Sequence, residues 1–123
     1  MIKFNSPWIN KHGFHIKNYK EQRVHVVSEI ELPHGVTDAL IQFKNYDFLL
    51  IVVTNQPDVA KGNTSLEKVD AINNYLSSKL PLDDILVCFH DDVDRCLCRK
   101  PNPGLILDAV EKYNIDVITS YMI

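Results

Sequence analysis

The chain has 123 residues, 46% of them hydrophobic and 24% charged, enough for one small domain over residues 1–123 with an ordinary core and too little for two. A formal charge of -3 argues against wrapping nucleic acid or lying on an anionic membrane, since both need a concentrated basic surface. No stretch approaches the roughly 18 apolar residues of a membrane span, and the first ten residues lack a basic start followed by an apolar run, so the reading is a cytoplasmic protein whose partners are small molecules or other proteins.

In chain order, His12, His15, Lys17, Lys20, Glu21 and Arg23 make residues 11–30 a polar loop, with Val24, His25, Val26 and Val27 as a short flap strand. Pro33, His34 and Gly35 supply a turn before a helix over residues 36–44, whose apolar set is Val36, Leu40 and Phe43. Residues 48–53 are a continuous, partly β-branched apolar run, the pattern of a central strand buried on both faces. The polar segment from Thr54 to Asp58 then leaves the sheet at a strand's C-terminal end, where open α/β sheets place their ligands. Thr64 and Glu67 read as a capping box opening a helix that carries Leu66, Val69, Ile72, Tyr75 and Leu76 on one face and ends near Leu80 and Pro81. A second strand is expected over residues 85–89 and a helix opened by Pro103 with Leu105, Ile106, Ala109, Val110 and Tyr113. A third strand is expected to begin at Ser120. Strands alternating with helices and lacking hairpin turns predict an α/β fold, a Rossmann-like parallel sheet with helices on both faces.

All three cysteines fall within residues 88–98. An odd number in so short a window makes no disulfide framework. Cys88 and His90, then Cys96 and Cys98, are three thiols and one imidazole, a full tetrahedral set of the kind that closes structural zinc sites and leaves no position for a catalytic water. The competing reading is a buried strand cysteine with two incidental neighbours. Asp91, Asp92 and Asp94 between the pairs read as a solvated loop tip rather than a second, harder metal site.

The stretch from Cys88 through Cys-Leu-Cys-Arg-Lys-Pro-Asn-Pro-Gly104 resembles the zinc loop of the D-glycero-D-manno-heptose 1,7-bisphosphate phosphatases and the related histidinol-phosphate phosphatases, both of the haloacid dehalogenase superfamily. Val52-Val-Thr-Asn-Gln-Pro-Asp-Val-Ala-Lys-Gly62 resembles that family's second motif, and Ser120-Tyr-Met-Ile123 the start of its fourth. The likeness implies that Thr54 donates its hydroxyl to a substrate phosphate, that Asn55 shapes the pocket behind it, that Lys100 balances phosphate charge and that Arg99 reaches toward the substrate. Such types suit phosphoryl chemistry, which is mostly positioning and charge neutralisation. Zinc would then be structural, aiming Arg99 and Lys100 just after Cys98.

Two departures qualify this. The family's first motif carries an aspartate nucleophile and an aspartate acid/base; aligned on Ile9 and Asn10, those positions hold Phe4 and Ser6, with Pro7 in place of a glycine. Phenylalanine can neither attack phosphorus nor ligate magnesium, and a serine hydroxyl is no acid near neutral pH. The family's further acidic residues beyond its fourth motif are also not in this sequence, so magnesium, which needs carboxylate anchors, is not expected. The resulting expectation is a zinc-containing phosphatase-like domain that binds a phosphorylated small molecule or a protein without hydrolysis. Its alternatives are an active sugar-phosphate phosphatase, with an acid such as Asp58 replacing the nucleophile, and a decayed fragment. An uncovered fourth-motif strand near Tyr121 and Ile123 would also be an edge for self-association or for another protein.

Overall fold

The computed structural model describes Val24 and residues 26–123. Two parallel strands, β1 (Ile51–Asn55) and β2 (Asp84–Cys88), pair in register from Ile51 opposite Asp84 to Asn55 opposite Cys88. Among the described residues three helices pack around them: α1 (Val36–Asn45), α2 (Leu66–Lys79) and α3 (Gly104–Tyr113). The crossover from β1 to β2 runs through α2, as a parallel pair requires.

Alternation along the strands divides the core into two layers. Ile51, Val53 and Cys88 face α3 and bury with Leu105 and Ala109, flanked by Leu86, Ile106, Val110 and Tyr113. Leu50, just before β1, packs instead with Leu40 of α1 and Leu80 at the end of α2, flanked by Phe43, Phe48 and Leu76. Each fully buried aliphatic side chain here contributes on the order of 1.5–3 kcal/mol. The parallel sheet with helices on both faces predicted from the alternating pattern is therefore present.

Two adjacent acids at the start of β2 tie these layers together. Asp83 accepts both 2.7 and 2.8 Å bonds from Lys44 Nζ at the end of α1 and a 2.6 Å bond from the Leu50 N–H. Asp84 accepts from Lys112 Nζ and Tyr113 Oη of α3, each at 2.8 Å. Burial works against the Asp84 charge, but these two bonds and one from the Ile85 N–H outweigh it and hold the carboxyl below its ordinary range.

Several boundaries differ from expectation. The first strand begins at Ile51 and continues through Thr54 and Asn55. Those polar residues stay in the ladder because β2 runs beside them, and the Gln56 N–H still reaches the Cys88 carbonyl at 2.7 Å. The second strand is shifted one residue earlier, to Asp84–Cys88. Ser65, not Thr64, caps α2: its extended backbone lets Oγ accept from the Lys68 N–H at 3.3 Å. Pro103 is the N-cap of α3, immediately outside its first helical residue. Residues 27–29 form a 3-10 turn where part of a flap strand was expected, and Val24 and Val26 are in no strand. His25 and the polar stretch before Val24 lie outside the described residues. Nor do residues 120–123 form a strand. A strand needs a hydrogen-bonded neighbour, and in this segment the preceding turn folds on itself, with Ser120 Oγ donating to the Asp116 carbonyl at 2.6 Å and Tyr121 stacking edge-on against Phe48.

Candidate metal centre

β2 ends at Cys88, and the chain then loops through a 3-10 turn (Asp92–Asp94) before entering α3. The loop folds back so that the ligand atoms of Cys88, His90, Cys96 and Cys98 all lie within 4.8 Å of one another. Sulfur separations are 3.6 Å for Cys88 to Cys96, 3.1 Å for Cys88 to Cys98 and 3.4 Å for Cys96 to Cys98. His90 Nδ1 stands 3.6 Å from the Cys88 sulfur and 3.2 Å from that of Cys98. Zinc–ligand bonds of about 2.3 Å to sulfur and about 2.0 Å to nitrogen set tetrahedral edges near 3.8 and 3.6 Å, so this cage is a slightly contracted version of the shape zinc requires.

Cys96 and Cys98, with sulfurs 3.4 Å apart, oppose ionisation of both at once. Burial pushes the Cys98 thiol up to about 12, reinforced by hydrogen bonds and repulsion from Cys88 and Cys96. Burial also opposes ionisation of Cys96, but hydrogen bonds from Cys98, the Arg99 N–H and Cys88 bring it down to about 7. The Cys96 thiolate is supported at the expense of Cys98; a divalent cation is the group that would let both ionise.

The rest of the loop is organised around this cage. Its carbonyls are claimed one by one: Asn102 Nδ2 donates to Cys96 O at 2.9 Å, the Gly104 N–H to Leu97 O at 3.0 Å and Arg99 Nη1 to His90 O at 3.3 Å. Asp94 Oδ2 accepts from the Asp91 N–H at 2.7 Å. Gly104 is needed here because a Cβ would run into the Leu97 carbonyl and come within 2.8 Å of Cys98 Cα. Val93 and Leu97 stay 83% and 79% exposed, so little apolar burial within the loop replaces what the metal would supply.

Of the residues expected at a phosphate site, Asn55 and Lys100 meet. The Asn55 side-chain amide accepts from the Lys100 N–H at 3.1 Å and donates to the Lys100 carbonyl at 3.3 Å, while Lys100 Nζ donates to Val53 O at 2.9 Å. The lysine thus lies across the C-terminal half of β1. Thr54 is in the same strand, paired opposite Val87 and on the other face from Asn55. Arg99 takes a different course: Nε donates to Asp92 Oδ1 at 2.6 Å, and that bond holds its guanidinium above an already high range. Arg99, Lys100, Arg95, Asp91, Asp92 and Asn102 border an open cleft of about 110 Å³ that Thr54 does not line. Phe4 and Ser6 lie outside the described residues.

Asp58 is 5% exposed. Its carbonyl accepts from the Asn63 and Thr64 N–H groups at 2.8 and 3.3 Å, and its carboxylate from Asn63 Nδ2 at 3.3 Å, the bonding of a loop organiser rather than of a nucleophile facing an open site. Sequence reasoning did not find Lys61, whose Nζ lies 3.3 Å from Asp91 Oδ1 and joins the loop after β1 to the loop after β2. Nothing in the spacing of those two residues signals the contact. No helix among the described residues is long and apolar enough to cross a membrane.

The chain is similar to known proteins along most of its length. Residues 11–122 match the family model described as polynucleotide kinase 3 phosphatase. The D-glycero-beta-D-manno-heptose-1,7-bisphosphate 7-phosphatase of Pasteurella multocida (strain Pm70) is 33% identical over 111 residues, covering 81% of this chain and 60% of the relative. The protein of the same name from Escherichia coli (strain K12) is 34% identical over 112 residues, with 81% and 59% covered. The crystal structure of D,D-heptose 1.7-bisphosphate phosphatase from B. bronchiseptica, complexed with magnesium and phosphate, superposes with a TM-score of 0.74 at 23% identity, covering 94% of this chain and 63% of that one. The chain therefore spans about 60% of the length of the curated relatives it matches.

Proposed function

The chain belongs to the polynucleotide kinase 3 phosphatase family of the haloacid dehalogenase superfamily, alongside its heptose 1,7-bisphosphate phosphatases, and on that premise we propose that it serves a sugar-phosphate phosphatase site. The substrate phosphate is received at the C-terminal end of β1. The observation that carries this reading is the placing of Lys100 across that strand end, bonded to Val53 O and Asn55. Lys100 supplies positive charge to the phosphate and Asn55 frames the pocket; Thr54, on the other face of β1 and outside the cleft beside Arg99, would donate its hydroxyl only to a phosphate seated beyond the strand's end. Arg99, bonded to Asp92 and the His90 carbonyl, braces the loop; to touch a substrate it must first release Asp92. Cys88, His90, Cys96 and Cys98 would hold zinc, which supplies loop structure and, with four protein ligands, no reactive water. The cytoplasm, whose reducing conditions keep the thiols available as ligands, is the compartment this reading assigns.

A second reading, phosphate-ligand binding without turnover, is supported by Phe4 and Ser6 at the positions that match the family's nucleophile and acid/base. The relatives' names favour turnover. Assay of heptose 1,7-bisphosphate and histidinol phosphate with magnesium, using the unmodified chain and a Phe4→Asp, Ser6→Asp variant, separates the two. Turnover by the unmodified chain supports the phosphatase reading; phosphate binding with turnover only in the variant supports the second. Absence of both binding and turnover ends both. Self-association remains part of the proposal through Tyr121, Met122 and Ile123, all at least half exposed although they form no strand edge. Light scattering that finds a strict monomer at tens of micromolar ends that part.

A further inference from the structure

A side-chain amide carries the same donor and acceptor as a peptide group. Asn55, the last residue of β1, uses both on the backbone of a single residue: Oδ1 takes the N–H of Lys100 at 3.1 Å and Nδ2 reaches its carbonyl at 3.3 Å. The side chain therefore pairs with Lys100 as another strand would, 45 residues away in sequence. The strand's backbone makes a third attachment, since Val53 O accepts from Lys100 Nζ at 2.9 Å. Val53 is fully buried and Asn55 half-buried, so the anchor sits on the rigid part of the molecule. Lys100 itself is only two residues beyond Cys98.

We infer that Asn55 is a positioning residue: it fixes the backbone of Lys100 against β1 and so sets where the lysine ammonium stands, independently of the metal cage that shapes the preceding loop. The inference rests on the phosphate-site reading for its consequence, but the two-point amide pairing stands without it. Other side chains fit poorly. Aspartate keeps the acceptor for the Lys100 N–H and loses the donor, setting a carboxylate oxygen against the Lys100 carbonyl. Glutamine carries the same amide one methylene too far, and alanine removes both bonds. An ordinary surface lysine wanders among rotamers, whereas this one is held at both its peptide and its ammonium. The cost of ordering a long cationic side chain is then met before any anion arrives, which is how preorganisation raises affinity.

The test compares the unmodified chain with Asn55→Ala and Asn55→Asp. Lysine acylation by an activated ester is followed site by site by mass spectrometry, with zinc content, melting temperature and inorganic phosphate binding measured in parallel. The expected result is that Lys100 modification accelerates at least about fivefold in Asn55→Ala, the scale of one lost hydrogen bond, and less in Asn55→Asp. Exposed Lys61 and Lys112 should keep their rates as internal controls, and zinc should stay at one per chain. Phosphate affinity should fall in Asn55→Ala and further in Asn55→Asp, whose carboxylate also repels the anion. Unchanged Lys100 modification in both variants overturns the inference. So does acceleration that comes only with loss of zinc, since Asn55 would then be supporting the whole loop. If inorganic phosphate binds none of the three proteins, the phosphate-site reading fails, while the Lys100 rates still decide the positioning role.

Discussion

Two loops leave the C-terminal ends of neighbouring strands, and they are ordered by opposite means. The loop after β1, residues 56–65, is organised from within by a buried acid: Asp58 offers its carbonyl and carboxylate to Asn63 and Thr64. The loop after β2 exposes its largest apolar side chains, Val93 and Leu97, and places three thiols and an imidazole at its centre. The first is closed by hydrogen bonds among its own residues. In the second they reach several carbonyls, and the thiols and imidazole at its centre form a set that could hold a cation. Order in the first loop rests largely on its own hydrogen bonds, with Lys61 reaching across to Asp91; the second gathers a ligand set that a cation would complete. Lys100 sits where the two dependencies meet, since Asn55 of the first strand holds it and Cys98 precedes it.

The sharpest way to break this contrast is to remove a ligand. Cys88→Ser should reduce zinc from one per chain to near zero by elemental analysis and destabilise the protein by several kcal/mol, because metal binding free energy is folding free energy in such sites and Cys88 also belongs to the α3-side core. The loop after β1 should keep its structure in the same variant. Asp58→Ala should do the reverse, costing about 1–3 kcal/mol in denaturant unfolding for the donors left unpaired, with zinc content unchanged. Gly104→Ala sharpens the same contrast from the other side. A methyl group against the Leu97 carbonyl and Cys98 Cα should cost on the order of 1–3 kcal/mol and weaken zinc retention against a chelator.

The smallest effect belongs to the far end of the sheet. Asp84 has its pKa lowered in the folded protein by Lys112, Tyr113 and the Ile85 N–H, despite partial burial. A lowered folded value means that the unfolded chain binds the proton first. The contribution is therefore fully present above the unfolded value, about 3.9, and lost as pH falls through the lower folded value. Asp84→Asn should flatten the acid limb of stability between about pH 5 and pH 2 and leave zinc content and phosphate binding near neutral pH untouched. Lys112 is 57% exposed, so Lys112→Ala should cost less than about 1 kcal/mol.

The candidate metal cage was legible because its signal is chemical and local: four residues of the right type lie within one loop, and their ligand atoms do meet. The helices and the parallel pair were legible from periodicity. Boundaries were not, because apolarity marks burial and not pairing. Thr54 and Asn55 are polar yet remain in the ladder, since β2 extends beside them. Thr64 and Ser65 are both good caps by type, and only the extended backbone at Ser65 chose between them. Residues 120–123 have a strand's composition without a strand's neighbour among the described residues. Contacts between distant segments, such as Asp83 with Lys44 or Asn55 with Lys100, leave no trace in spacing. Arg99 was assigned to substrate by resemblance, and the acid it meets, Asp92, stands seven residues away in a loop whose path depends on the cage.

The claim that one loop is metal-ordered and the other self-ordered is tested most directly by backbone amide NMR of the zinc-loaded chain before and after chelation. The account predicts one zinc per chain, collapse or large shifts of the amide signals of residues 88–100 when the ion is withdrawn, and nearly unchanged signals for residues 56–65. A chain that carries no zinc as purified and keeps the signals of residues 88–100 dispersed and unmoved by chelator would contradict it.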